Sequence, residues 1–443
     1  MPLAQETLDI KDNLLASLLS DENFSPTKPA SIEETGLGEE FVEALVCKYL
    51  AVFGTAKGRA IADHICLPYN IIESLLGTLR TNQFVVHAGS APFNDYYYSL
   101  TAQGRSRAMA FLDASAYVGP APVPLMDYVI SVEAQSITAE APGPERLVEA
   151  VRGISVDPAL FESLGPAINS GAGMFLYGAP GNGKSTLAKR ITLCFGQEIW
   201  IPHALYEDGQ VIKLYDSAYH KPVVNDERSV TKCGEHDRRW VKISRPTVVV
   251  GGELTMDNLE LRHEPRSNIN EAPLQMKSNC GSLLIDDFGR QRIDPTHLLN
   301  RWIVPLEMRH DFLTLPTGKK LYVPFDQLVI FSTNLEPSEL VDEAFLRRIP
   351  FKIEIGDPSE DEFHQLFQLY AKSFGCEYRR EVVEDLLARH YRPSGRHLRR
   401  CHARDLLLQI RAYCNYARLP MELRPEYFDR AVKSYFATVL GET

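Results

Sequence analysis

The sequence predicts an α/β protein in which a domain built on a parallel sheet precedes a helical domain. Three short apolar runs, at 174–177, 283–285 and 328–331, are each bounded by turn residues, as buried parallel strands are. Helical patterns alternate with these runs from about residue 146 onward, and after Pro358 the pattern is helical to the end of the chain. We therefore expect a sheet domain over residues 146–357 and a helical domain over residues 358–443.

The composition fits a folded chain with several domains. Its length of 443 residues corresponds to about three domains. Hydrophobic residues make up 44% and charged residues 24%, which excludes wholesale disorder and a small disulfide-linked fold. The 58 acidic and 47 basic residues give a net charge of -11, so broad non-specific coating of DNA is not expected.

The cysteines and the first residues indicate a cytoplasmic protein. The eight cysteines include no CxxC pair, and Cys233 with His236 has no second pair to complete a zinc site. Free thiols in a reducing cytoplasm are therefore expected. The first residues lack the basic and apolar segments of a signal peptide, and no stretch of about 20 apolar residues predicts a membrane span.

Residues 1–30 are predicted to form a flexible segment that contains a short amphipathic helix. Five apolar residues at helical spacing define its apolar face: Ile10, Leu14, Leu15, Leu18 and Leu19. A polar run with two prolines ends this pattern before residue 31. The helix is expected either to dock on a partner or to pack on the next domain.

Residues 31–115 have the element order of three helices and a β-hairpin. Apolar residues at helical spacing mark a helix at 42–53, a second helix covers about 57–65, and Pro68 opens a third. Strands at 84–86 and 96–98 flank a turn at 89–92, and a last helix begins near Leu100. This order resembles a winged helix-turn-helix domain.

The third helix of this region is not expected to read DNA. Its exposed positions are predicted to be Tyr69, Asn70, Glu73, Ser74, Thr78 and Arg80. Helices that read the major groove usually bring several Arg, Lys, Asn or Gln side chains. Residues 1–115 contain 14 acidic and 8 basic residues, and phosphate contacts require the opposite sign of charge. We therefore expect a module that docks on protein, with DNA binding as the less favoured alternative.

Residues 116–145 are predicted to be a proline-rich linker or a strap along the next domain. They contain five prolines: Pro120, Pro122, Pro124, Pro142 and Pro144. The helical domain at the other end of the chain begins with a clearer signal. Ser359 and Glu362 have the spacing of a capping box in front of an apolar helix.

A glycine-rich run directly follows the first apolar run. Its residues are Gly178, Ala179, Pro180, Gly181, Asn182, Gly183, Lys184 and Ser185, which fit GxxxxGK[ST], and a helix is predicted to follow from Thr186. Glycines let backbone N–H groups turn toward phosphates, and the helix N-terminus adds a partial positive charge. We expect Lys184 to reach the β- and γ-phosphates of ATP and Ser185 to hold Mg²⁺.

Two aspartates end the second apolar run. Asp286 and Asp287 follow the run Ser282-Leu283-Leu284-Ile285. Downstream of a phosphate loop, a carboxylate at a strand end is expected to hold Mg²⁺, which is the role predicted for Asp286. Asp287 is placed to polarise the attacking water.

These motifs and their order resemble those of AAA+ ATPases over residues 146–443. The phosphate loop, including Thr186, and the aspartate pair match the Walker A and Walker B motifs. Asn334 follows the third apolar run, as the sensor 1 residue does. The resemblance implies an αβα P-loop core with a C-terminal helical lid, here preceded by the winged helix-turn-helix domain. It also implies binding of ATP and Mg²⁺ and assembly into a ring, expected to be a hexamer.

The resemblance further implies roles for three arginines. The segment from Ala344 to Pro350 resembles an arginine-finger segment at a subunit boundary, with Arg348 preferred over Arg347. Gly395-Arg396-His397-Leu398 resembles sensor 2, which makes Arg396 its candidate arginine. The neighbouring arginines 389, 392, 399, 400 and 404 are open to three interpretations, namely a subunit boundary, a nucleic-acid contact or a solvated helix face.

The sequence departs from the AAA+ pattern in three respects. Aspartate stands at position 287, where these enzymes usually have glutamate. Residues 202–280 are expected to include an insertion, because the spacing from Lys184 to Asp286 is long. The usual pore loop with an aromatic residue is not evident. These departures favour a remodeller similar to the MoxR group over a threading unfoldase.

The function predicted from the sequence is ATP hydrolysis by a ring that remodels or assembles a protein partner. In this interpretation the winged helix-turn-helix domain is the docking module. A DNA-associated AAA+ factor that uses this domain and the arginine-rich lid is the first alternative. A nucleotide-gated scaffold that barely hydrolyses ATP is the second, because Asp287 is shorter than glutamate.

Overall fold

A computed structural model describes residues 24–153, 158–196, 198–223, 236–341 and 343–436. The amphipathic helix predicted within residues 1–30 and the pair Cys233–His236 depend on positions outside these ranges. Those two predictions therefore lie outside the described residues.

The first folded region has the helices and the hairpin that the sequence predicts. After a 3₁₀ turn at Glu33–Thr35, its elements are α1 (Glu39–Phe53), β1 (Ala56–Lys57), α2 (Gly58–Ile65), α3 (Tyr69–Thr81), β2 (Val85–Ala91), β3 (Asp95–Leu100) and α4 (Ala102–Ala114). Strand β3 pairs antiparallel with both β2 and β1. Pro68 is the N-cap of α3, and the side chain of Thr101 accepts a hydrogen bond from Gly104 N at the start of α4.

This region shares its hydrophobic core with a distant part of the chain. Ala204 and Val211 pack in the same cluster as Leu45 and Leu76. The guanidinium of Arg239 is buried, lies 2.8 Å from a carboxylate oxygen of Asp237, and donates to the carbonyl oxygens of Thr35 and Pro122 at 2.7 and 3.3 Å. The N-terminal region is therefore fixed against residues that follow the phosphate loop.

The stretch expected to be a linker is partly helical. It contains β4 (Val123–Pro124), α5 (Leu125–Ala134) and α6 (Ile137–Glu140). Leu125, Tyr128 and Val132 are buried in one cluster, and Tyr128 Oη donates to the carbonyl oxygen of Met276 at 3.2 Å. The prolines flank α5 without interrupting it, because Pro124 occupies its N-cap. The stretch therefore packs as a strap along the next domain, which is one of the two arrangements that the sequence predicts.

Helices and strands then alternate up to residue 354. The helices are α7 (Pro144–Ala150), α8 (Pro158–Ser170), α9 (Lys184–Ile191), α10 (Leu274–Lys277), α11 (Pro295–Arg301), α12 (Ile303–Met308), α13 (Pro337–Leu340) and α14 (Glu343–Arg348), with 3₁₀ turns at Thr192–Phe195 and Met256–Leu259. The strands are β5 (Met174–Tyr177), β6 (Glu198–Pro202), β7 (Ala204–Glu207), β8 (Gln210–Lys213), β9 (Trp240–Ser244), β10 (Thr247–Val250), β11 (Arg262–Glu264), β12 (Ile269–Glu271), β13 (Ser282–Ile285), β14 (His310–Thr314), β15 (Lys320–Pro324), β16 (Leu328–Ser332) and β17 (Phe351–Glu354).

Five of these strands form the parallel sheet that the sequence predicts. Their order is β10-β13-β16-β5-β17, and each neighbouring pair is parallel. Leu284 and Ile330 face one core together with Leu187 of α9, whereas Phe331 faces the opposite core with Trp302. The sheet is covered on both faces, which explains why its central strands are uninterrupted apolar runs. The α/β P-loop core predicted from the sequence is confirmed.

Within residues 202–280, where the sequence predicts an insertion, β7, β8, β11 and β12 belong to a second β layer. Its sheet has the order β11-β12-β8-β7-β4, so it also takes up the strand of the proline-rich strap. Two antiparallel pairs, β6 with β9 and β14 with β15, accompany it. This layer contributes the buried residues that fix the N-terminal region.

Between Pro358 and residue 436 the regular secondary structure is helical, as predicted. The helices are α15 (Glu360–Ser373), α16 (Arg380–Leu386), α17 (Arg400–Ala417) and α18 (Pro425–Tyr435), with a π-helical turn at Leu387–Tyr391 after α16. The capping box is present, since Ser359 Oγ accepts from Glu362 N at 3.2 Å and Ser359 N donates to Glu362 Oε2 at 2.9 Å. Phe363, Phe367 and Phe428 anchor the core of this lid. Within the described ranges, no helix has both the length and the apolar character needed to span a membrane.

Candidate nucleotide-binding site

The sheet topology brings the predicted site residues to one edge. The glycine-rich loop follows β5, Asp286 follows β13, and Asn334 lies just after β16. These three strands are parallel neighbours in the order β13-β16-β5, so their carboxyl ends lie side by side. Ligand sites in open α/β sheets form at this edge.

The loop requires glycine at its turns. Gly178, Gly181 and Gly183 have φ values of 124°, 84° and 87°, which L-residues with a side chain rarely adopt. A Cβ atom at Gly178 would lie 2.7 Å from the carbonyl oxygen of Ile355. A Cβ atom at Gly181 would lie 2.5 Å from Sγ of Cys401 in the lid. The loop is therefore enclosed by the chain on both sides, and Gly183 is the N-cap of α9.

Lys184 is the first residue of α9, and its ammonium group points back into the loop. Nζ donates to the carbonyl oxygens of Gly178 and Ala179 at 2.9 and 3.0 Å and to Oδ1 of Asn334 at 2.8 Å. Burial lowers the pKa of Lys184, and the carboxylates of Asp287 and Asp286 oppose this shift. The cation is thus held at the mouth of the loop, where phosphate groups would need it.

Ser185, in the first turn of α9, contacts Asp286, which directly follows β13. Ser185 Oγ donates to Asp286 Oδ1 at 2.7 Å. A hydroxyl and a carboxylate are hard oxygen donors, which is the donor set that Mg²⁺ prefers alongside water and phosphate oxygens. The two residues therefore fit the metal-binding role predicted for them.

Asp287 and Asn334 also lie together. Asn334 Nδ2 donates to Asp287 Oδ1 at 3.4 Å. Asp287 has a φ of 51°, and Gln291 secures this turn because its Nε2 donates to the carbonyl oxygens of Asp286 and Asp287 at 2.9 and 3.0 Å. Gln291 belongs to no motif, and no signal in the sequence singled it out.

A cleft of about 440 Å³ lies between the loop and the lid. Pro180, Thr186 and the rest of the loop from Gly181 to Ser185 line one side, and Asp286, Asp287 and Asn334 line its floor. The lid contributes apolar and aromatic side chains together with two arginines: Leu366, Leu369, Tyr370, Arg400 and Arg404. The cleft combines apolar walls with a charged end, as sites for small ligands do.

Arg396, which the sequence singled out, does not line this cleft. Its guanidinium lies 3.7 Å from the ring centroid of Phe436, and its Nη1 donates to the carbonyl oxygen of His390 at 3.0 Å. Arg400 is the first residue of α17, and Arg404 lies about one helical turn further along; these two arginines line the cleft instead. The sequence thus singles out Arg396 as the lid arginine, whereas the structure places Arg400 and Arg404 at the cleft.

Arg347 and Arg348 lie at the opposite end of the sheet. They end α14, and β17 follows with Phe351 beside Met174 and Glu354 beside Tyr177. The loop begins after Tyr177, so the length of a four-residue strand, about 13 Å, separates it from the start of β17. Arg348 Nε lies 2.7 Å from Oε1 of Glu307, and Arg347 is exposed. Neither arginine joins the site of its own chain.

Comparisons with known proteins give distant similarities. Residues 359–434, within the lid, match the family "Domain of unknown function (DUF8689)". No curated protein matches the sequence.

Three solved structures are among those similar to this chain. NtrX from Brucella abortus in complex with ADP is similar over 68% of this chain and 59% of its own, with 12% identity and a TM-score of 0.40. The Thermotoga maritima RuvB Holliday junction branch migration motor is similar over 66% and 70%, with 15% identity and a TM-score of 0.34. A complex of the magnesium chelatase subunits BchI and BchD is similar over 68% and 94%, with 14% identity and a TM-score of 0.33.

Proposed function

We propose that the chain is an AAA+ ATPase that hydrolyses ATP in a ring and uses the energy to remodel or assemble a protein partner. The observation that supports this most directly is the meeting of five side chains at the carboxyl ends of three neighbouring strands. Lys184 contacts Asn334, Asn334 contacts Asp287, and Ser185 contacts Asp286 on the adjoining strand. Together they provide a cation for phosphate, a metal-binding pair and a carboxylate next to an amide.

The roles follow from the chemistry of these groups. Lys184 neutralises the β- and γ-phosphates, and the backbone amides of the loop with the N-terminus of α9 add further positive potential. Mg²⁺, when held by Ser185 and Asp286, supplies charge neutralisation across the phosphates. Asp287 accepts a hydrogen bond from the attacking water, while the amide of Asn334 fixes the orientation of that carboxylate.

The position of Arg348 supports the proposal that several copies of the chain assemble. An arginine at the amino end of the sheet does not reach the phosphates of its own chain, but it can reach those of a neighbour that packs with its cleft against this end. Such an arginine stabilises the charge that develops in phosphoryl transfer. We therefore propose that Arg348 acts in trans, with Arg347 as its alternative, and that the assembly is a hexameric ring.

The N-terminal region is proposed as the docking surface for a protein client. The exposed side of α3 carries Glu73 and Arg80 together with small polar residues, so it has no basic surface for phosphates. Because Arg239 and a shared core fix this region to the second β layer, a client held there is coupled rigidly to the ATPase core.

Steady-state ATP turnover by the full chain tests the proposal. We expect Mg²⁺-dependent release of phosphate that disappears in Lys184→Ala. Tight ATP binding without turnover in the wild-type chain, at any protein concentration, would instead identify a nucleotide-gated scaffold.

A further inference from the structure

The start of the lid helix α17 is capped by the phosphate loop rather than by its own sequence. Arg399 is the N-cap residue of α17, and its side chain makes no capping hydrogen bond. The first amides of a helix need partners from outside the helix. Cys401 N donates to the carbonyl oxygen of Gly181 at 2.9 Å, and Arg400 N donates to Oδ1 of Asn182 at 3.4 Å. Two residues of the loop therefore take the place of a cap.

Asn182 connects this cap to the point where the core ends and the lid begins. Its side chain is buried, with 2% of the residue exposed. While its Oδ1 faces Arg400 N, its Nδ2 donates to Asp357 Oδ1 at 2.8 Å and lies 3.4 Å from the carbonyl oxygen of Ile355. The amide thus has partners on both sides, one in the lid and one in the segment that leads to it.

Asp357 is the shared partner of Asn182, Arg399 and His397. It directly precedes Pro358 and the lid, and the segment before it runs along the loop, with Ile355 N donating to the carbonyl oxygen of Tyr177 at 2.8 Å. Arg399 forms an ion pair with Asp357, and His397 Nδ1 lies 3.3 Å from its other carboxylate oxygen. One carboxylate therefore binds the loop through Asn182 and the lid through Arg399.

We propose that Asn182 and Asp357 are positioning residues that latch the lid onto the phosphate loop and thereby hold Arg400 and Arg404 at the cleft. The latch requires no nucleotide, because all its partners belong to the chain. Its consequence for nucleotide rests on the proposed function: a pre-organised lid removes the need to order the lid when ATP binds. The loop binds phosphates with its N–H groups and the lid with a carbonyl oxygen and a side chain, so both contacts can exist at once.

Backbone amide exchange in the nucleotide-free full chain tests the latch directly. The peptide that contains Arg400 and Cys401 should be protected in the wild type. Asn182→Asp places a carboxylate beside that of Asp357, so the two repel and the amides should exchange about 10-fold faster or more. Exchanging the two residues, with Asn182→Asp and Asp357→Asn together, restores a donor opposite an acceptor and leaves Arg399 an amide oxygen in place of a carboxylate. The double variant should therefore recover part of the protection that Asn182→Asp loses.

A matched control separates the latch from general loosening of the lid. Arg392 forms ion pairs with Glu360 and Glu384 at 2.8 and 2.7 Å, all within the lid, so Arg392→Gln should leave exchange at Arg400 and Cys401 unchanged. The latch is refuted if Asn182→Asp leaves exchange unchanged, if the double variant exchanges as fast as the single variant, or if Arg392→Gln has an equal effect.

Nucleotide kinetics give the second measurement. If Asn182→Asp reduces the latched fraction to about one tenth, the KM for ATP should rise about 10-fold, and the double variant should reverse part of the change. An unchanged KM with altered exchange would refute the positioning role. The exchange result does not depend on ATPase activity, so failure of the proposed function and failure of the latch are distinguishable.

Discussion

The ammonium nitrogen of Lys184 lies 2.8 Å from Oδ1 of Asn334, although 150 residues separate the two in the chain. This hydrogen bond joins the start of α9 to the end of β16, the strand next to β5 in the sheet. It orients the amide of Asn334 so that its Nδ2 faces Asp287. The ammonium group of Lys184 and the carboxylate of Asp287 are therefore connected through one side chain.

Lys184→Ala should bind ATP about 10- to 100-fold more weakly, because it removes a charge-assisted hydrogen bond to the phosphates. Titration with a fluorescent ATP analogue measures the change. Lys189→Ala is the matched control, since Lys189 is an exposed lysine of the same helix and does not line the cleft. Equal ATP affinities of the two variants would show that Lys184 does not bind the phosphates of ATP.

Asp287→Asn should keep ATP affinity within about 3-fold of the wild type and lose turnover by about 10²- to 10⁴-fold, because an amide does not accept a proton from water. Asparagine tolerates the positive φ at this position, so the change tests chemistry without straining the turn. Single-turnover phosphate release compares the variants. If Asp287→Asn still turns over ATP, another carboxylate must polarise the attacking water.

Arg404→Gln should raise the KM for ATP several-fold, whereas Arg396→Gln should leave KM unchanged. Arg404 lines the cleft, but the guanidinium of Arg396 lies over the ring of Phe436. Loss of that cation–π contact should lower the free energy of unfolding of the lid by about 0.5–2 kcal/mol, and the melting temperature should fall accordingly. Steady-state kinetics with a thermal melt of each variant measures both effects, and the opposite pattern would restore Arg396 as the nucleotide contact.

The full chain should bind duplex DNA no more tightly than about 10⁻⁴ M at physiological salt, the weak end of non-specific binding. The acidic excess of residues 1–115 and the small polar face of α3 are the reasons. Fluorescence anisotropy over a range of salt concentrations measures this affinity. Sub-micromolar binding with a steep salt dependence would favour the DNA-associated alternative.

The central strands could be predicted because burial on both faces makes them apolar runs. The two edge strands gave weaker signals. The strand β17 reads Phe-Lys-Ile-Glu, with Lys352 and Glu354 exposed, so it lacks the uninterrupted apolar run of a buried strand. The opposite edge strand, β10, contains the short run Val248-Val249-Val250.

The site could be predicted as far as its motifs extend. A phosphate loop and an aspartate pair have fixed spacings, so the sequence identifies Lys184, Ser185 and Asp286. The choice among the arginines of the lid depends on where α17 begins and on how it meets the loop, and spacing alone does not supply that information. The partnership of Asn182 with Asp357 spans 175 residues and is apparent only in the folded chain.

Mixing two inactive variants tests the central claim, hydrolysis at a site completed by a neighbour, most directly. Arg348→Ala should bind ATP normally yet lose about 10³- to 10⁵-fold in turnover, while Lys184→Ala lacks a working loop but keeps its arginine. In mixed rings some interfaces combine an intact loop with an intact Arg348, so activity should partly return and should rise with protein concentration. If mixed assemblies form and no activity returns, and the same holds for Arg347→Ala, the account of a ring ATPase with a finger in trans is wrong.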